Sequence, residues 1–208
     1  MNKARLEALS DGFFAIVMTI LVFEVKLPSA GGARLSDGEV WELLQHFAPL
    51  VGSYFLSFAV LAMFWISHHK LFHYFTRTVN RIMVDLNMVY LMFLSFVPFS
   101  AHLIGQYWYS KTAMIVYGAN ILAIALTALG MYLYAIHSHE IDTAHISSRM
   151  RKQALIRLSI TPTSVLLGIM VTLYSIPMAL FFYIVPVVFN TVPGGLSFFE
   201  RVFHFRIQ

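Results

Sequence analysis

The sequence predicts an all-α integral membrane protein with six transmembrane helices, and three observations support this. Of 208 residues, 59% are hydrophobic and only 12% charged, with a mean hydropathy of +0.73. A soluble core of this size cannot bury so much apolar surface, so lipid must solvate much of it. Apolar runs of membrane length recur between polar connections, and 19 Phe and 10 Tyr supply the aromatic content of membrane helices and their interfacial belts.

The first span is expected over residues 9–25, ended by Pro28. The second covers 44–67, the third 82–103 and the fourth 113–136. The fifth, 159–174, and the sixth, 178–192, flank the break Ser175-Ile176-Pro177 and are short for a bilayer that needs ~20 residues per helix. They read either as a bent hairpin or as one long helix kinked at Pro177. No soluble domain fits between the spans, so residues 1–208 form one transmembrane domain.

Basic residues set the orientation. Lys3, Arg5, Lys70, Arg77, Arg81, Arg149, Arg151, Lys152, Arg157, Arg201 and Arg206 fall on one side, eleven of the 14 Lys and Arg. Lys26, Arg34 and Lys111 fall on the other. Both termini therefore belong in the cytoplasm, which requires an even number of helices and favours six over five. Ser29 to Arg34 reads as a flexible outer loop and His137 to Lys152 as a polar cytoplasmic one. The tail from Phe198 to Arg206 reads as an amphipathic interfacial segment. No secretory leader is evident, because the first apolar run leads to Glu24 and Lys26 without a small-residue cleavage pattern.

Chemistry-bearing residues are sparse. There is no cysteine, which excludes disulfides and thiolate chemistry. The stretch Arg5 to Gly12 puts an arginine and an aspartate at the mouth of an apolar helix, where charge is costly unless paired or wet. Leu-Ser-Asp-Gly occurs at Leu9 to Gly12 and again at Leu35 to Gly38. The second copy continues to Glu39 as a capping box, Ser36-x-x-Glu39. Gly12, Ile16, Ile20 and Phe23 lie along one helical stripe, with Thr19 beside it. Such a stripe serves lipid contact or helix packing, or else forms a pore wall closed by an apolar constriction that gates by dewetting. One such helix per chain needs symmetric copies to enclose a pore.

His68, His69 and His73 end the second span. His69 and His73 are four apart on one face, but no second histidine box of that kind follows, so no metal site is expected. His137, His139, Glu140, Asp142 and His145 form a second polar group, on a loop. Asn87 lies deep enough to need an interhelical partner. Glu24 reads as an interfacial charge that could also concentrate cations at a pore mouth. Nucleic-acid binding has no support.

Together these residues resemble the transmembrane protein 175 family of potassium channels found in prokaryotes and lysosomes. The resemblance rests on Arg5-x-x-x-Leu9-Ser10-Asp11-Gly12, with Leu9 where the family usually has Phe. Phe14-Ala15-Ile16, Thr19 to Val22, Trp65, His68-His69, Asn87 and Val97-Pro98-Phe99 extend it through the first half of the chain. It implies a homotetramer in the plasma membrane of a prokaryote, conducting potassium passively as a permeant monovalent cation without cofactor or catalysis. It also implies that the first helix lines the pore. Ile16, Ile20 and Phe23 would be the apolar layers and Thr19 the layer tied to selectivity, although Phe23 replaces an aliphatic residue there. Arg5, Ser10, Asp11, Trp65, His68, His69 and Asn87 would form a polar cluster holding the pore helix. Arg5 and Asp11 each need partners from other helices, and breaking a buried charged pair costs about 3–5 kcal/mol, so Asp11→Ala is expected to harm assembly before it alters permeation. The alternative is a proton-coupled transporter or proton leak through His68, His69 or Asp11; a membrane enzyme using the histidines is a third class.

Overall fold

The computed structural model describes residues 2–26, 35–143 and 146–191, and every described element is helical. The expectations for Pro28, the 29–34 loop, His145, Val192 and the 198–206 segment fall outside the described residues.

Helix α1, Lys3–Ile20, starts at Asn2, whose side chain accepts from the Ala4 amide, and tightens into a 3₁₀ turn over Leu21–Glu24. Helix α2, Asp37–Lys70, opens on the Ser36–Glu39 capping box, with both reciprocal bonds formed. At ~1.5 Å per residue its 34 residues run about 51 Å, well beyond the ~30 Å of a hydrocarbon core. It continues through a π turn, Leu71–Phe75.

The third span is two helices, α3 (Arg81–Ser95) and α4 (Val97–Gln106), broken at Phe96. Pro98 supplies the break, because it lacks an N–H and its ring clashes with the carbonyl four residues back. Helix α5 is Lys111–His137 and α6 is Ser148–Thr172. Thus α6 begins well before Ser159 and takes in Arg149 to Lys152, which were expected in the loop, and Arg157, which fell between loop and span. Its Ser147 cap accepts from the Met150 amide, and the charged first turns stay helical because α6 packs along α5. Hydropathy alone does not see such turns.

Among the described residues, helix α7, Ile176–Thr191, completes six helical units. Five are long and apolar enough to cross a membrane, while α7 has only 16 residues. The choice at Pro177 falls to the hairpin. Leu173 to Ser175 leave the helix, and α7 returns antiparallel along α6. Ser164 Oγ donates to the Phe182 carbonyl at 2.6 Å, and Asn190 Nδ2 lies 3.5 Å from Thr161 Oγ1.

Tyr183 locks this hairpin to α5. Its ring lies where Gly118 and Gly168 leave no room for a Cβ, and its hydroxyl donates to the Met114 carbonyl at 3.0 Å. A methyl at Gly168 would meet Tyr183 carbon at 2.6 Å. Gly168→Ala is therefore expected to lower stability by about 1 kcal/mol, the low end for overpacking, because a short terminal helix can shift. A lower melting temperature in detergent checks it.

Candidate functional site

Helix α1 has two unlike faces. Leu6, Ser10, Phe14, Val17 and Leu21 recur every three or four residues and are buried against α2, α3 and α4. The other face holds the expected stripe. Ile16 is 59% exposed, Ile20 39% and Phe23 66%, and Thr19 is exposed with them. In the 3₁₀ turn residues i and i+3 eclipse, which places Phe23 one turn beyond Ile20. The Thr19 hydroxyl lies 2.8 Å from the Ile16 carbonyl and 3.0 Å from that of Ala15. Its proton is thus used within the helix, and the oxygen keeps lone pairs free as an acceptor.

The buried face carries a polar strut. His68 Nε2 donates to Asn87 Oδ1 at 2.8 Å, Asn87 Nδ2 donates to Ser10 Oγ at 3.1 Å, and Ser10 Oγ donates to the Leu6 carbonyl at 2.9 Å. Ser10 and Asn87 are fully buried and His68 is 5% exposed. Because Oδ1 only accepts, this bond requires the proton on Nε2. The imidazole lies flat against Tyr90, centroids 5.4 Å apart at 14°, and contacts Phe72 at 4.6 Å. Three helices are thus joined through one amide.

The remaining expected members sit elsewhere. Asp11 is exposed and accepts from Trp65 Nε1 at 2.9 Å, forming a second tie between α1 and α2. His69 stacks on Trp65 and on His73, away from Asn87. Arg5 is exposed, and its side chain makes no hydrogen bond or ion pair with the described residues. The cluster is therefore a buried triad, Ser10, His68 and Asn87, beside an exposed pair. An exposed Asp11 with one indole bond does not carry the cost of a buried charge. Asp11→Ala is accordingly expected to cost about 1 kcal/mol in melting experiments, not 3–5. Among the described residues no three His, Asp or Glu converge as metal ligands.

Glu24 is half-buried. His102 Nδ1 lies 3.3 Å from its Oε2 and 3.2 Å from its carbonyl oxygen, tying the end of the 3₁₀ turn to α4. Sequence reasoning passed over His102, although a lone histidine among Ser100, Ala101, Leu103 and Ile104 was a visible signal. It also missed Asn120, whose amide donates to Ser100 Oγ at 3.1 Å, and Tyr117, whose hydroxyl accepts from Ser57 at 3.2 Å.

Comparison with known proteins places this arrangement. Residues 5–98 match the family model described as endosomal/lysosomal potassium channel TMEM175. A potassium channel of Streptomyces collinus is 33% identical over 147 residues, covering 70% of this chain and 68% of that protein. The chain belongs to the TMEM175 family. Its fold agrees with the crystal structure of a lysosomal potassium-selective channel TMEM175 homolog from Chamaesiphon minutus. That comparison has a TM-score of 0.78 and 25% identity, over 90% of this chain and 95% of the other. The endosomal/lysosomal proton channel TMEM175 of Gallus gallus is 29% identical over 158 residues, covering 72% of this chain but only 31% of that longer protein. The TMEM175 model ends at Pro98, so it contains both the α1 stripe and the triad.

Proposed function

We propose that this TMEM175 chain is one of four identical subunits of a potassium-permeable channel, with α1 of each subunit lining a shared central pore. Ile16, Ile20 and Phe23 form its apolar constriction, Thr19 offers hydroxyl oxygen between them, and Glu24 lies at the mouth. The channel spans the plasma membrane of a prokaryote with both termini in the cytoplasm, and conduction is passive. The carrying observation is that the Ile16–Phe23 stripe stays open to the surroundings while the opposite face of α1 is sealed.

An apolar ring favours the cation that sheds water more easily, so potassium passes before sodium. Thr19 adds acceptor oxygen without a competing proton, as its hydroxyl bond to the Ile16 carbonyl implies. Thr19→Ala is expected to lower the potassium-to-sodium permeability ratio several-fold while leaving tetramer yield unchanged. Bi-ionic reversal potentials measure this, and an unaltered ratio would remove Thr19 from the pore.

Proton transport through the triad is the weaker reading, although the chicken relative is described as a proton channel. The donor sequence from His68 ends on the Leu6 carbonyl, and the Asn87 amide cannot hand on a proton without changing tautomer. The triad fits a strut better than a wire. The deciding experiment reconstitutes purified protein in liposomes and images the same sample. Passive potassium efflux exceeding sodium efflux, with a fourfold axis and α1 innermost, is the expected result. Saturable, proton-coupled uptake would overturn the proposal.

A further inference from the structure

On the side of the bundle away from the α1 stripe, α2, α5, α6 and α7 border a half-open cavity of about 300 Å³. Its walls are largely apolar, with Phe64, Leu71, Ala128 and Leu158 among them, and two cations, Lys70 and Arg157, line it. No carboxylate is among its described lining residues. Neither side-chain cation makes a hydrogen bond or ion pair among the described residues.

Two like charges bordering one apolar cavity, a half-buried Arg157 and an exposed Lys70, need a reason, since cations at a membrane without an anion are costly. Simple snorkelling would carry each head separately to water. Here both border one cavity, at the end of the bundle that holds the α1 amino terminus and most of the basic residues. Ser67 and Gln153 add neutral donors at the same rim. We propose that this cavity is a binding site for an anionic phospholipid of the leaflet at the basic end. Its phosphate would lie between Lys70 and Arg157, and the upper part of one acyl chain would enter between α2 and α6. Charge complementarity selects the occupant, because a zwitterionic headgroup brings its own ammonium, which two cations repel, whereas an anionic one leaves its charge to them, and basic pockets between membrane helices recur as headgroup sites. A volume of about 300 Å³ is at the small end of ligand pockets. The chain therefore enters in part and continues along the bilayer. This site does not depend on the channel reading, only on the protein lying in a membrane.

Native mass spectrometry of the full-length protein tests it by titration with phosphatidylglycerol, phosphatidylcholine and inorganic phosphate. Phosphatidylglycerol should bind at one site per chain, while the other two should neither bind there nor displace it. Lys70→Gln and Arg157→Gln should each weaken it about fivefold, from roughly 1 kcal/mol per basic residue at a membrane surface. Arg157→Lys should preserve binding, which separates loss of charge from loss of fold. Arg81→Gln, which removes an exposed cation at the same end, should leave it unchanged. Ala154→Phe keeps both charges but fills the cavity, and should also abolish retention. Equal binding of phosphatidylcholine, undiminished binding in the Lys70→Gln/Arg157→Gln double variant, or displacement by inorganic phosphate would each overturn the lipid assignment.

Discussion

Ile16→Asn is expected to raise passive potassium flux through reconstituted liposomes about tenfold. A cation crossing an apolar ring gives up water and receives no ligand in return. An amide at Ile16 offers one carbonyl oxygen per subunit, and hydrogen bonds or ion contacts to charged partners are worth about 1.5–3 kcal/mol. Recovering even about 1.4 kcal/mol at the barrier multiplies a rate tenfold. Because Ile16 is 59% exposed in the chain, the substitution leaves the subunit core intact. Leu126→Asn, an exposed α5 position remote from α1, is the matched control and should not raise flux. Equal flux in wild type, Ile16→Asn and Leu126→Asn would sink the pore assignment of the stripe.

Asn87→Leu is expected to destabilise the protein by about 2–3 kcal/mol, read as a fall in detergent melting temperature. Leucine keeps asparagine's branching but is the bulkier residue, so overpacking of a fully buried site adds to a polar cost. The His68 Nε2–H is left buried without an acceptor, a loss of about 1–3 kcal/mol, and Ser10 loses its incoming donor. Interhelical bonds in membranes are worth less on average because the dissociated helices also find partners, which caps the estimate. A discriminating companion is the triple variant Ser10→Ala, His68→Phe, Asn87→Leu. Removing every partner together leaves nothing unsatisfied, and Phe can keep the contact with Tyr90. The triple variant should therefore melt above Asn87→Leu alone. If the single variant is as stable as the wild type, the strut does not hold α1.

The helical fold was legible because hydropathy and periodicity are local properties. Runs around Phe14, Phe64 and Tyr90 announce membrane helices, and the spacing Gly12, Ile16, Ile20 announces a stripe. What local pattern cannot give is partner identity. Ser10 and Asn87 meet across 77 positions, and nothing in either neighbourhood distinguishes Ser10 as buried from Asp11, one residue on, as exposed. Arg5 was grouped with the triad by motif, yet its side chain is exposed. His102 escaped notice because its contact with Glu24 joins residues 78 positions apart. The amino-terminal turns of α6 were missed because their stability comes from α5, not from their own hydropathy.

The two faces of α1 carry a genetic consequence. A substitution on the sealed side, such as Phe14 or Val17, spoils the subunit before it can meet its sisters, so a cell holding one normal copy of the gene keeps normal complexes. A substitution on the open side, at Ile16 or Phe23, lets the subunit fold and join mixed complexes. In the tetramer proposed above, with subunits drawn from equal pools, most complexes would then contain at least one altered chain. Recessive and dominant alleles should therefore alternate along one helix, with a period of three to four residues.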